Sequence, residues 1–402
     1  MKILIPNGTS AKNIGDLAIL TALVGLIKKS GTQTRIALHS TDPHLHHFKN
    51  IERVEETLYS YVAFEHAAIF TRVFRLTKLA VYYILLRFNL LDSVVSPNDQ
   101  LYLILNDYRQ TDTIIFTGGG YLRSKPGLTQ SLNLLMQLMM LHIGSLLGNR
   151  KIVAPISFGP FAYNWQEKLT ACVLKNFDLV TIREDISFNK LLLYKLTNLK
   201  LSTDLGLLLP PQKLKKKTSP TIGFTICPWF THTQKQKYLE SVYAQVLSNF
   251  ANKYQMAIQP IVQVWAPDFA RENDAPVVER VYQALKQKGL NVHKPKYSAD
   301  LKDAQSIYGS LDLLLGMRMH SNILTAIQGI PFVAVAYEHK TVGLARTLKM
   351  LQFCIEAEKI SASKLFQKLE SAHKNRIKIK KILAQKLKAI QKKEIPFWKK
   401  LI

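Results

Sequence analysis

The stretch from Leu311 to Tyr337 reads LDLLLGMRMHSNILTAIQGIPFVAVAY and leaves few folds open. Leu311–Leu315 is apolar apart from Asp312, as in a buried strand, and Gly316 ends the run. Asn322 to Gln328 has helical character, Gly329 supplies a C-terminal stop, and Pro331 leads into a second buried strand that runs to Tyr337. Two apolar strands joined through one short helix make a parallel crossover, and a parallel sheet needs helices over both faces. Ligands of such sheets collect outside the carboxyl ends of the strands, where a helix N-terminus offers N–H groups and partial positive charge to an anion. Arg318 and His320 fall at that place. The plainer alternative is an Arg paired with a local carboxylate and a His that only caps a helix.

The rest of the chain repeats the pattern. Lys2–Pro6 reads as a strand, and the loop Asn7–Asn13 leads to Gly15-Asp16 at the head of a helix ending near Ser30-Gly31. Asp16 there has the ordinary role of an N-cap, and the loop could also cradle a ligand. Arg35–His39 is a second strand. From Asp42 to Asp107 the sequence is irregular to helical, and Phe64, Phe70, Phe74, Tyr82 and Phe88 sit at spacings expected of core. Thr113–Thr117 is a buried strand that runs into Gly118, Gly119 and Gly120, where backbone without Cβ can approach a ligand or another strand. This triplet is neither GxGxxG nor a Walker loop. Further strands at Lys151–Ile156 and Leu179–Ile182 follow, the second ending at Arg183-Glu184-Asp185, so Arg183 repeats the placement of Arg318.

Pro210-Pro211 with Lys213 and Lys215–Lys217 reads as a basic linker. The expected division is 1–210, a linker 211–219, a second doubly wound α/β domain 220–355, and a basic amphipathic C-terminal helix 356–402. Strands at Thr221–Cys227, Met256–Val264 and Asn291–His293 belong to the second domain. In the C-terminal segment, Ile379, Ile382, Leu383, Leu387 and Ile390 form an apolar stripe among lysines that Pro396 is expected to stop. That stripe suits either docking on the body or contact with an anionic membrane.

With 402 residues, 47% of them hydrophobic and 20% charged, a folded chain of two domains is expected. The net charge of +26 favours anionic ligands without choosing among them. Cys172, Cys227 and Cys354 form no metal-binding spacing, so no metal is expected. No apolar run is long and uncharged enough to span a membrane, and a cytoplasmic protein is expected.

Taken in order, several short motifs resemble the polysaccharide pyruvyl transferases. They are Asn13-x-Gly15-Asp16, Gly118-Gly119-Gly120, Arg183-x-Asp185, Ser202-Thr203-Asp204, Arg318-x-His320-Ser321 with Ala326 and Gly329-x-Pro331, and Tyr337-x-x-Lys340. The resemblance implies two Rossmann-like domains in a glycosyltransferase-B-like arrangement. It also implies transfer of pyruvate from phosphoenolpyruvate onto two sugar hydroxyls as a ketal, with no cofactor beyond that donor. Arg318 and Arg183 would clamp carboxylate and phosphate, since the guanidinium pairs with both in planar, bidentate fashion. His320 would carry the proton, being the group that titrates near neutrality. Asp16 would orient the acceptor or act as base, and Ser321, Lys340, Asn13, Gly15 and the glycine triplet would line the substrate site. The acidic residue that often follows the triplet in the family is replaced here by Tyr121-Leu122-Arg123-Ser124. The acceptor would be a sugar of a polysaccharide or of a lipid-linked precursor, which would favour peripheral contact at the inner membrane face.

Two other functions compete. A nucleotide-sugar glycosyltransferase of the same two-domain type would use an Arg at this helix start to grip a diphosphate, with Glu338 as the acidic residue beyond it. A nucleic-acid-binding role is disfavoured, because the basic residues lack interleaved stacking aromatics and no recognised nucleic-acid motif appears.

Overall fold

The computed structural model describes residues 1–8, 13–30, 33–41, 51–63, 69–212, 219–267 and 272–402. The chain divides into two compact units, one of Met1–Ser10, Leu23–Asp204 and Ile402, the other of Ala11–Ala22 and Leu205–Leu401.

The first unit is built on seven parallel strands: β1 (Lys2–Gly8), β2 (Arg35–Ser40), β3 (Arg53–Glu56), β4 (Thr113–Phe116), β5 (Arg150–Ile156), β6 (Leu179–Ile182) and β7 (Leu199–Leu201). Their order is β3-β2-β1-β4-β5-β6-β7, so the winding reverses between β1 and β4. β1 and β4 are buried almost throughout because strands inside a parallel sheet are covered on both faces. At the reversal, Asn7 ties the two strand ends together: its Oδ1 accepts from the Thr117 N–H at 2.6 Å, and its carbonyl accepts from the Thr117 hydroxyl at 3.2 Å.

The aromatic residues expected as core between 42 and 107 divide otherwise. On the helix Ile69–Arg87, Leu79 and Tyr82 are buried, but Phe70 and Phe74 face outward, as does Phe88 just beyond its end. Apolar positions fall on both the covered and the outer side of this helix, and spacing alone does not say which side is covered. Phe64 lies outside the described residues, as do most of the loop Asn7–Asn13 and Lys213–Lys217 of the linker.

The second unit has five parallel strands, β8 (Thr221–Thr225), β9 (Ala257–Pro260), β10 (Leu313–Gly316), β11 (Phe332–Ala336) and β12 (Cys354–Glu356), in the order β12-β11-β10-β8-β9. Its winding reverses between β8 and β10. The strand expected at Asn291–His293 is reduced to one isolated bridge between Ile258 and Val292. The second unit begins at Leu205, before the two prolines, because Leu205 and Leu207 are buried. Pro210 and Gln212 are also held there, the former accepting from Gln305 Nε2 at 3.1 Å and the latter donating to Gln328 Oε1 at 3.2 Å.

The C-terminal segment belongs to this second unit. Ser361 caps the helix Ala362–Lys374, and the helix Arg376–Leu401 follows. Ile379, Leu383 and Leu387 are buried, so the apolar stripe is spent on docking to the body and is not presented to a membrane. Pro396 does not stop this helix but lies inside it. Trp398, fully buried two residues later, supplies packing that offsets the roughly 3 kcal/mol a proline costs within a helix.

Candidate functional site

The best-furnished strand ends are those of β8, β10 and β11 in the second unit. Gly316 closes β10, and a Cβ there would overlap the Asn322 amide oxygen. Asn322 Nδ2 instead donates to the Gly316 carbonyl at 3.2 Å, folding the helix Met319–Ile327 back against the strand. Arg318 occupies the N-cap position with extended backbone. Ser321 is fully buried: its Oγ donates to the Arg318 carbonyl at 2.6 Å and lies 2.8 Å from the Thr225 hydroxyl, which accepts from the Met317 N–H at 3.1 Å. Ser321, expected as a substrate contact, therefore stitches the end of β8 to the helix start.

Arg318 is held by Asp274, the residue that precedes the helix Ala275–Gln287. Its Nε lies 3.1 and 3.2 Å from the two carboxylate oxygens and one terminal nitrogen 2.6 Å from Oδ1, while the same nitrogen donates to the Glu272 carbonyl at 2.9 Å. Asp274 is fully buried and also accepts from the Val264 N–H at 3.1 Å. Burial pushes the Asp274 carboxyl up, and Arg318 pulls it back. For Arg318, burial opposes the charge and Asp274 more than restores it, so the guanidinium stays cationic. Its Nη1 has no hydrogen-bond partner among the described residues. The Arg318 side chain keeps 18% of its surface exposed. Cys227, just past β8, is pushed up to about 12 by burial and so remains a neutral thiol.

His320 is half-buried in the first turn of the same helix. Against it lies Gly15 from the helix Ile14–Lys28, whose first residues belong to this unit. A Cβ at Gly15 would stand 2.5 Å from His320 Cγ and 2.7 Å from its Cβ, so only glycine allows this approach. Asn13, not Asp16, caps that helix: its Oδ1 accepts from the Gly15 N–H at 3.1 Å, and its Nδ2 donates to Asp16 Oδ2 at 2.7 Å. The sequence therefore pointed to the right turn but gave Asp16 the role that Asn13 takes. Asn13 also bridges to Val264, the residue whose N–H binds Asp274.

Beyond β11, Lys340 pairs with Glu338 at 2.5 Å and lies 5.8 Å from the Tyr337 ring centre. Trp229, after β8, packs on Tyr337 with ring centres 4.6 Å apart. This corner thus has a cation, a carboxylate and two aromatic faces.

A sequence model described as polysaccharide pyruvyl transferase matches residues 13–339. The chain belongs to the polysaccharide pyruvyl transferase family. The match begins at Asn13 and ends at His339, so it takes in both the Gly15–His320 contact and the Arg318 pair. No sequence match to a curated protein accompanies it.

In structure, the transferase is similar to the E. coli trehalose-6-phosphate structure bound with UDP-2-fluoro glucose, at a TM-score of 0.56 and 13% identity over 100% of this chain and 98% of that one. A UDP-N-acetylglucosamine 2-epimerase from Listeria monocytogenes aligns at TM-score 0.56 and 10% identity over 95% of this chain and 90% of its own. The N-terminal domain of Candida albicans trehalose-6-phosphate phosphatase aligns at 0.52 and 11% over 98% and 95%. These likenesses show the α/β, glycosyltransferase-B-like fold class.

The remaining expected residues lie in the transferase's first unit. A Cβ at Gly118 would overlap the Pro155 carbonyl oxygen, and Gly119 exchanges bonds with β5, donating to Pro155 O at 3.3 Å and accepting from the Ser157 N–H at 3.0 Å. These two glycines of the Gly118–Gly120 triplet let β4 and β5 converge. Arg183 is buried, donating from Nε to Ser157 Oγ at 2.7 Å and from Nη1 to Asp204 at 2.8 Å. Two family-like motifs, Arg183-x-Asp185 and Ser202-Thr203-Asp204, thus meet in one buried ion pair, which accounts for Arg183 without a ligand. Sequence reasoning did not find Asp274; the only local signal was a helix start before Pro276. Among the described residues no group of three or more His, Cys, Asp or Glu could hold a metal.

Proposed function

We propose that this transferase moves a pyruvyl group from phosphoenolpyruvate to two hydroxyls of one sugar, forming a pyruvate ketal and releasing phosphate. The observation that supports this most is the Arg318 guanidinium, fixed by buried Asp274 at the end of β10 two residues before His320. The cations here carry their own carboxylates, Asp274 for Arg318 and Glu338 for Lys340. An anionic donor would therefore bind by geometry as much as by charge, through Arg318 Nη1 and the N–H groups of the helices starting at Met319 and His339.

The reaction balances as follows. A proton is added to the donor's methylene carbon, making it a methyl group, and the first sugar hydroxyl bonds to the adjacent carbon and gives up its own proton. The second hydroxyl then displaces phosphate at that carbon, and its proton leaves with the phosphate. His320 would carry the proton in the first step, and Asp16, held by Asn13, would orient or deprotonate a hydroxyl. The acceptor is a sugar of a polysaccharide or of a lipid-linked precursor, and the compartment is the cytoplasm.

The test is phosphate release from phosphoenolpyruvate with candidate sugar acceptors, together with thermal melting against phosphoenolpyruvate and UDP-sugars. A donor at one hundred times its dissociation constant stabilises the folded state by about 2.7 kcal/mol. Stabilisation by a UDP-sugar and none by phosphoenolpyruvate would replace this reading with glycosyl transfer.

A further inference from the structure

The loop 227–230, which leaves β8 at the reversal of the second sheet, is fixed by one side chain. Gln236 of the helix Thr233–Tyr254 is buried, and its Oε1 accepts from the Trp229 and Phe230 N–H groups, both at 3.2 Å. Its Nε2 donates to the Cys227 carbonyl at 3.4 Å and to Glu240 Oε1 at 3.2 Å. Glu240 is held in turn by Arg280, through Nε and a terminal nitrogen, both at 2.8 Å. A line of polar groups through the unit thus ends on the backbone that carries Trp229. A buried network of this kind fixes a single arrangement because each unmade bond is costly. The Trp229 side chain, by contrast, is only half-buried and lies on the half-buried ring of Tyr337.

The neighbours of this ring pair are those of the donor site. Besides burial, the charges of Arg318, Asp274, Glu338 and Lys340 all act on the Cys227 thiol at the start of the loop, and Tyr337 acts on the Arg318 guanidinium. Phosphoenolpyruvate is small and charged at both ends, so it gains little from an aromatic wall. A pyranose has the complementary surface: one face of C–H bonds for the rings, and hydroxyls at its rim for Lys340 and Glu338.

We propose that Trp229, backed by Tyr337, stacks on the apolar face of the acceptor sugar and holds it beside the donor, with Gln236 as the positioning residue. This rests on the proposed reaction, in which the second substrate is a sugar.

The test uses the full chain labelled with 5-fluorotryptophan. Its four tryptophans give four fluorine signals, that of Trp229 being the one lost in Trp229→Leu. Methyl hexopyranosides, added with phosphoenolpyruvate, should move this signal and leave those of Trp165, Trp265 and Trp398 in place. In phosphate release, Trp229→Leu should raise the KM for acceptor about tenfold, with the KM for phosphoenolpyruvate within about twofold and an unchanged melting temperature. Trp229→Tyr, which keeps an aromatic face, should recover most of the loss, and Gln236→Leu should raise the same KM with Trp229 still present. A folded Trp229→Leu protein whose acceptor KM stays within twofold would overturn the inference and leave the reaction standing. So would a Trp229 signal that no glycoside moves. Movement of that signal by UDP alone, without phosphate release from phosphoenolpyruvate, would overturn both and assign the face to a nucleobase.

Discussion

Gly15→Ala is the sharpest probe of the site, because a single added carbon acts on His320 without touching its chemistry. The new Cβ would stand 2.5 Å from His320 Cγ and 2.7 Å from its Cβ, where ordinary contact begins at 3.4 Å. Turning the ring cannot relieve this, since the His320 Cβ is fixed to the helix backbone. Either His320 or the start of the helix at Ile14 must retreat by about 0.7 to 0.9 Å, and a displacement near 1 Å costs on the order of a hundredfold in rate. Stability should not fall in step, because alanine is favoured over glycine in a helix by about 1 kcal/mol, which offsets part of the strain. The assay is phosphate release from phosphoenolpyruvate, with thermal melting as the control. His320→Ala should lose about 30- to 1000-fold, as expected when a bond worth ~2–4 kcal/mol in the transition state is removed. The double variant should be no worse than His320→Ala alone, since both changes act through one group. Turnover within about twofold of wild type for a folded Gly15→Ala protein would refute the idea that this contact positions the catalytic imidazole.

Asp274→Asn should keep the shape around Arg318 and lower turnover about tenfold or more, and Arg318→Lys should fare no better, because neither retains the two-oxygen pairing; steady-state phosphate release checks both. Arg183→Met should destabilise the first unit by roughly 3–5 kcal/mol, measured by chemical denaturation, since it removes the buried guanidinium paired with the Asp204 carboxylate; a stable but inactive variant would make Arg183 a substrate clamp instead. Trp398→Ala should cost about 3–5 kcal/mol by the same measurement. Asp92 is held at about 2, below its ordinary 3.8, by hydrogen bonds from Arg109 and then Tyr102. Its contribution to stability is therefore full above 3.8 and lost as pH falls through about 2, and Arg109→Gln should move its NMR titration upward.

The central strands were legible because burial on both faces leaves an apolar run, as in Leu313–Leu315 and Phe332–Ala336. The edge strands Arg53–Glu56 and Leu199–Leu201 were not, since among the described residues each pairs with a strand on one side alone and its sequence mixes charged with apolar residues. Arg318 and His320 could be placed from the strand, glycine and helix around them. The carboxylate holding Arg318 could not, because Asp274 comes from a loop 44 residues earlier, brought there by the sheet order. The outward phenylalanines were misplaced for a related reason: periodicity identifies a stripe but not what covers it.

The helix Ile14–Lys28 begins in the second unit and continues into the first, so neither unit is a single uninterrupted piece of chain. During synthesis Gly15 leaves the ribosome about 300 residues ahead of His320, a wait of roughly 15 to 60 seconds at ordinary elongation rates. The first turn of this helix must then stay without its final neighbours while much of the first unit's sheet assembles. Separate expression of residues 205–402 would omit the segment that meets His320, whereas co-expression with residues 1–204 supplies it.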